Sequence, residues 1–239
     1  MLKRGAGHVE AILSFVIFIG FISTALVFFT PKGGSEIIDS TLNYAVLSLL
    51  KNISVDLESY SVKIYTENVP SGQNTIAIEF PTEISTIPPN FKARAETYNG
   101  RTLSATRNGN VVYVNNEGED FVVIRFSEDI NENDASVSSP SVDRSYYTVA
   151  SSSSRKVVSE KRLLILNDSY YKDYETVRDS LNIPGQVSFG FSASTPTKTI
   201  IAETDIPSGL DVYSSISRRE LLIQEDGALS FGELGVKIW

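Results

Sequence analysis

The sequence predicts a mixed α+β protein: an N-terminal transmembrane helix, a short amphipathic helix, and a β-dominated head of antiparallel, sandwich-like type. Three observations predict it. An uncharged apolar run extends from Ala11 to Phe29. Apolar residues then recur at helical spacing from Ile38 to Ile53. From about residue 60 the pattern alternates with period two and is punctuated by Pro88-Pro89, Asn108-Gly109 and Glu117-Gly118. The expected organisation is therefore a basic start at 1–5, an apolar helix at 6–30, a hinge and amphipathic helix at 31–59, and a β-rich head at 60–239. A polar loop is expected within that head, near 127–155.

The apolar run, as a helix, spans about 28 Å, close to the ~30 Å hydrocarbon thickness of a bilayer. Lys3 and Arg4 precede it and predict a cytoplasmic N-terminus by the positive-inside rule, with the remaining chain outside. Thr30-Pro31-Lys32-Gly33-Gly34 should end it, since proline lacks a helical N–H and paired glycines tolerate bends. Ser35 is placed to cap a second helix whose stripe is Ile38, Leu42, Ala45, Val46, Leu49 and Ile53. The polar face of this helix carries few cations, so its stripe is expected to pack on the head, not on a membrane surface.

Strands are expected at Ser61–Thr66, Thr75–Phe80 and Phe91–Thr97. Thr102–Thr106 and Val111–Val114 flank Asn108-Gly109, the signature of a type I′ hairpin, and Phe121–Phe126 completes an antiparallel meander. Ser127–Ser154 reads as a polar linker with at most an edge strand at Ser145–Ala150. Beyond it, a strand at Arg162–Leu166, a helix at Tyr170–Leu181, and strands at Val187–Ser192 and Thr199–Ala202 are expected. The last elements form a hairpin, Arg218–Gln224 with Ala228–Trp239, joined through Glu225-Asp226-Gly227. Gly232 and Gly235 there permit a bulge.

Composition narrows function. The chain carries 21 Lys and Arg against 29 Asp and Glu, for a net charge of −8. Nucleic-acid binding needs clustered cations to displace counterions, so nucleic acid is not an expected partner. Cysteine is absent, which excludes disulfides, zinc-thiolate sites and thiol nucleophiles. His8 is the only histidine and precedes the apolar run, leaving the head without an imidazole base for a Ser-His-Asp triad. No phosphate-binding Gly-Lys-Ser/Thr loop or G-x-S-x-G elbow is present. No enzyme activity, cofactor or metal is expected. Asp129-Ile130-Asn131-Glu132-Asn133-Asp134 resembles the opening of a calcium loop. Its sixth position is Asp134 in place of glycine and its twelfth is Pro140, so a solvated acidic turn is the reading taken. The pairs Tyr146-Tyr147 and Tyr170-Tyr171 are read as packing residues. Two sequons, at Asn52 and Asn167, are candidate glycosylation sites in an exported head.

Met1-Leu2-Lys3-Arg4-Gly5, followed by Glu10 five residues past the glycine and then the apolar run, resembles the leader of type IV prepilins. An ordinary secretory signal is cut after its apolar stretch, whereas here the basic residues and the glycine come first. The resemblance implies cleavage after Gly5 by a prepilin peptidase, Ala6 as the new N-terminus, and Glu10 as the carboxylate that sets axial register against a neighbouring subunit's amine. It further implies that the apolar helix anchors in the membrane and then packs with other pilin subunits. Absence of cysteine and Ala6 after the cut lean toward archaeal relatives. The implied function is a structural subunit, a minor pilin or pilin-like protein, of an archaeal-type surface filament or its assembly machinery. The broken stem at Pro31–Gly34 argues against a major subunit. An uncleaved signal-anchor also accounts for Met1–Phe29, and it leads to a second reading: a monomeric, membrane-anchored extracellular β-domain that binds a surface ligand, glycan or partner.

Overall fold

The structure is a computed structural model that describes residues 6–29, 33–80, 87–131, 138–196, 198–214 and 218–239. It divides into two compact units, Met1–Thr41 and Leu42–Trp239. Helix α1 is Ala6–Phe29, and α2, Gly33–Ile53, begins in the first unit and ends in the second.

The transmembrane expectation is corrected. Side chains of α1 are described over 12–25. Among the described residues no helix is long and apolar enough to cross a membrane. Within this stretch Thr24 Oγ1 donates to the Gly20 carbonyl at 2.7 Å, so the hydroxyl is satisfied by its own helix. Helix α2 starts at Gly33, which puts the expected cap residue Ser35 inside it. From Leu42 onward its stripe is as expected: Leu42, Ala45, Val46, Leu49 and Ile53 are buried, while Tyr44 and Leu47 are exposed.

The second unit is a mixed α+β body dominated by sheet. In chain order its strands are β1 (Ser54–Ile64), β2 (Thr75–Glu79), β3 (Lys92–Thr97), β4 (Thr102–Leu103), β5 (Ala105–Asn108), β6 (Val111–Asn115), β7 (Phe121–Ser127) and β8 (Tyr147–Ser159). Helices α3 (Glu160–Lys172) and α4 (Tyr174–Ser180) follow. Strands β9 (Phe189–Ser194), β10 (Thr199–Ala202), β11 (Tyr213–Ser214), β12 (Arg218–Ile223) and β13 (Leu229–Ile238) complete it. The larger sheet runs β10-β9-β13-β12-β8-β1-β7-β3-β4, with β11 on β13, and the smaller one is β2-β6-β5. The described strand pairs are antiparallel apart from β8 with β12, which run parallel.

The expected meander is therefore corrected. Strand β7 leaves β6 and pairs with β1 and β3 in the larger sheet, while β5 and β6 pair with β2 in the smaller one. Both sheets contribute to one apolar cluster that includes Tyr60, Ile78, Phe80, Val112, Ile124 and Phe126. Tyr60, Phe80 and Phe126 meet edge-on or tilted at centroid distances of 4.9–5.7 Å, the arrangement favoured by aromatic quadrupoles.

Local turn chemistry also differs from expectation. Asn108 pairs with Val111, so Gly109-Asn110 is the loop, and of these two only Gly109 has positive φ, at 60°. This is the type II′ pattern, with glycine first, in place of type I′. Glu117 and Gly118 both have positive φ (49° and 82°), and Glu119 N–H donates to the Asn116 carbonyl at 2.8 Å, so the primed turn with two left-handed residues lies there. In the β12–β13 hairpin the pairing runs without a shift through Gly232 and Gly235. Their role is close approach: a Cβ on Gly232 would stand 3.0 Å from the Ser194 carbonyl oxygen.

Two larger corrections concern 127–166. The serine run Ser151–Ser154 is not a linker; it is the middle of β8, paired residue by residue with β1. Arg162–Leu166 is not a strand; it is helical, in α3. Ser159 ends β8 and caps α3, its hydroxyl accepting from Arg162 N–H at 3.2 Å. Leu163, Leu166 and Tyr170 then bury one helical face. The expected helix over Tyr170–Leu181 is broken at Asp173, whose carboxylate caps α4 by accepting from Thr176 N–H at 3.2 Å.

Candidate interaction surfaces

The most exposed apolar surface among the described residues is α1. Ile12, Phe15, Ile17, Phe18 and Phe21 are between 58% and 72% exposed, and Leu13, Val16, Ile19 and Ile22 add to them. At 100° per residue these positions surround the helix, so no polar stripe faces solvent. Gly5 lies outside the described residues. Ala6 and Glu10 lie in α1, at positions where side chains are not described, so no contact of the expected register carboxylate is defined.

A second surface lies within the Leu42–Trp239 unit, along α2, α3 and α4. A cleft of about 440 Å³ is lined by Tyr44, Leu47, Lys51, Asn52, Ser180 and Asn182. An adjoining cleft of about 350 Å³ is bordered by Asn52, Ile165, Thr176 and Ser180. Asn182 takes a left-handed φ of 53° just past α4, and Ile183 N–H donates back to the Arg178 carbonyl at 3.1 Å, which ends the helix and shapes the cleft floor. The two sequons differ in position. Asn52 is exposed on α2 and borders both clefts, whereas Asn167 is half-buried on α3 with its Oδ1 shielded from solvent.

Within the expected acidic turn, Asp129 is not solvated, whereas Asn131 is exposed. Asp129 is 13% exposed and accepts from Arg162 Nε at 3.0 Å, and Glu128 accepts from Arg162 Nη2. Arg162 Nη1 donates to the Ser54 carbonyl at 2.9 Å. One guanidinium thus joins α3, the start of β1 and the chain beyond β7. Glu132, Asn133 and Asp134 lie outside the described residues, and among the described residues no group of three His, Cys, Asp or Glu could hold a metal ion.

Arg107 is the cation most withdrawn into backbone. Its Nε donates to the Gly109 carbonyl at 2.8 Å, and Nη1 donates to the Pro88 carbonyl at 2.9 Å and to that of Phe91. Burial lowers its pKa, and its guanidinium lies 5.5 Å from the Phe126 ring centre. Its donors are spent on organising the 87–91 segment, which leaves little to offer an anion.

Within the tyrosine pairs Tyr147 and Tyr170 are buried and Tyr146 is partly buried, whereas Tyr171 is exposed. Tyr147 is buried, and its hydroxyl accepts from Glu79 N–H at 2.8 Å, fastening β8 to β2. Tyr170 stands edge-on to Tyr174, Phe189 and Phe191. Sequence reasoning missed the exposed β8 ribbon. The available signal was Tyr147-Thr148-Val149 before the serines and Val157-Val158 after them, β-formers on both sides of a run small enough to continue the strand.

No family model matches this chain, and no curated protein or solved structure matches it. The resemblance to type IV prepilins is corrected on that finding together with the helix: the spanning segment on which the leader motif depends is absent among the described residues. The fold and the exposed surfaces define a β-rich α+β unit with a separate apolar helix.

Proposed function

We propose that the protein is a structural, non-catalytic subunit of a multi-copy surface assembly, held together by packing of α1 against α1 of other copies. The observation that carries this reading is the apolar circumference of α1, with Phe15, Ile17, Phe18 and Phe21 all more than half exposed. Covering one such side chain contributes on the order of 1.5–3 kcal/mol, so a few of them suffice to drive association. Helices that are apolar on all sides bury themselves in bundles, and neighbouring copies supply that cover. The acidic second unit suits the outer, solvated layer of such an assembly, and exposed Asn52 suits a glycan there.

Sedimentation velocity of the full chain in mild detergent, over a range of protein concentrations, tests this. The wild type should form multi-copy species, and Ile17→Glu should shift them to monomer with unchanged far-ultraviolet circular dichroism. A wild type that remains monomeric at every concentration overturns the proposal in favour of a monomeric binding domain.

A further inference from the structure

Two asparagine-glycine steps stand at hairpin tips of the Leu42–Trp239 unit: Asn99-Gly100 between β3 and β4, and Asn108-Gly109 between β5 and β6. Glycine has no side chain to shield its amide nitrogen, which can therefore reach the side-chain carbonyl carbon of the asparagine before it. Both asparagines and both glycines are exposed, so access to water does not separate the two steps. Neither glycine has another atom within 4 Å of where a Cβ would stand. Backbone restraint does separate them. Asn108 is the last residue of β5 and pairs with Val111, and the closing pair of a two-residue hairpin is hydrogen-bonded. Its loop is held as well: the Gly109 carbonyl accepts from Arg107 Nε at 2.8 Å, and the Asn110 carbonyl from Phe80 N–H at 2.9 Å. Asn99 lies outside the paired strands, in a turn closed by Thr97 N–H on the Arg101 carbonyl at 2.8 Å. Within that turn Gly100 N–H donates to the Thr97 carbonyl at 2.9 Å, and among the described residues Asn99 and Gly100 make no other hydrogen bond.

We infer that Asn99 is a site of spontaneous conversion to aspartate and isoaspartate, and that Asn108 is protected by its hairpin. In the first step the Gly100 amide nitrogen attacks Cγ of Asn99. A nitrogen–carbon bond forms, the bond from Cγ to the side-chain nitrogen breaks, and ammonia leaves with the proton that the Gly100 nitrogen loses. Water then opens the five-membered imide at either carbonyl, giving aspartate or isoaspartate. Cyclisation requires the asparagine backbone to rotate. At Asn99 that rotation breaks one turn bond, whereas at Asn108 it must pull a residue out of the β5–β6 ladder against the bonds to Arg107 and Phe80. The step Asp226-Gly227 starts from a carboxylate paired with Arg94 at 3.4 Å, and a carboxylate is a poor electrophile. Conversion of Asn99 places a new negative charge two residues from Arg101, whose guanidinium already pairs with Glu117 and, at 2.9 Å, with Glu119. Isoaspartate also adds an atom to the main chain of the loop that Thr97 and Arg101 close. The site involves neither α1 nor its exposed apolar side chains, so it stands or falls separately from the assembly proposed above.

The test incubates the full chain in mildly alkaline buffer with mild detergent and follows each site by peptide mapping with mass spectrometry. The readouts are the mass gained when an amide becomes a carboxyl, and the separate elution of the isoaspartyl peptide. Each hydrogen bond that must open first slows the reaction several-fold, so Asn99 should convert about tenfold faster than Asn108 in the folded protein. In urea, where both turns are lost, the two sites should convert at similar rates, which isolates the fold as the cause. Asn99→Gln should remove most of the early mass gain, because its longer side chain would have to close a less favourable six-membered ring. Conversion of Asn108 as fast as or faster than Asn99 in the folded protein overturns the inference. So does an Asn99 that stays intact in the folded chain over the time in which it converts fully in urea.

Discussion

Arg162, in the first turn of α3, donates through Nε to Asp129 at 3.0 Å and so ties the helix to the chain that leaves β7. Asp129 is only 13% exposed, and the same guanidinium reaches the Ser54 carbonyl. Removing it leaves a largely buried carboxylate without its cation. Because Arg162 itself is about a third exposed, solvent screens part of the loss. We expect Arg162→Met to cost about 2–3 kcal/mol of stability, below the ~3–5 kcal/mol of a wholly buried pair. Urea unfolding monitored by circular dichroism measures this. Addition of Asp129→Asn should recover part of the loss, since the stranded charge is then gone.

Tyr170 supplies a pH signature. Its hydroxyl donates to the Phe189 carbonyl at 2.6 Å, and burial pushes its pKa up to about 12 from the ordinary phenol value of 10.0. The folded state therefore holds the phenol proton more tightly than the unfolded state does. That contribution to stability is complete below pH 10 and is lost as pH rises from about 10 to 12. Thermal midpoints between pH 9 and 12 should fall more steeply in the wild type than in Tyr170→Phe, which has no proton to lose. Parallel curves for the two proteins would show that Tyr170 does not set the alkaline limit.

Gly190 marks a close approach of strands. A Cβ there would stand 2.9 Å from the Ala202 carbonyl oxygen, a backbone atom of the neighbouring β10, and 3.4 Å from the Trp239 ring. The nearer of the two is backbone and cannot swing aside. Gly190→Ala should therefore destabilise by about 1–3 kcal/mol, the usual cost of overpacking. The urea midpoint should fall with the slope unchanged, because the sheet is strained without a change in the surface exposed on unfolding.

Much of the β framework was legible along the chain. Thr75–Glu79, Lys92–Thr97, Thr199–Ala202 and the β12–β13 hairpin lie where alternation and turn residues placed them. The stripe from Leu42 to Ile53 is buried as its helical spacing implied. The failures share a cause. Arg162–Leu166 is apolar enough for either state, and its helical form depends on Ser159 being held at the end of β8, where its hydroxyl meets Arg162 N–H. Ser151–Ser154 has weak strand preference of its own and is extended because β1 hydrogen-bonds it along its length. In both, a partner distant in sequence overrides local propensity.

The candidate surfaces divide in the same way. The sequence by itself determined that α1 is apolar on every side, that the chain is acidic, and that histidine or cysteine chemistry is unavailable to its β-rich part, because these are matters of residue type and spacing. Only the tertiary structure decided that Asp129 is paired with Arg162 in place of facing solvent, and that the serine run is a strand in place of a linker. Those outcomes depend on which backbone and side-chain groups are already satisfied by neighbours far along the chain, and hydrogen-bond satisfaction is a property of the folded arrangement that local sequence does not carry.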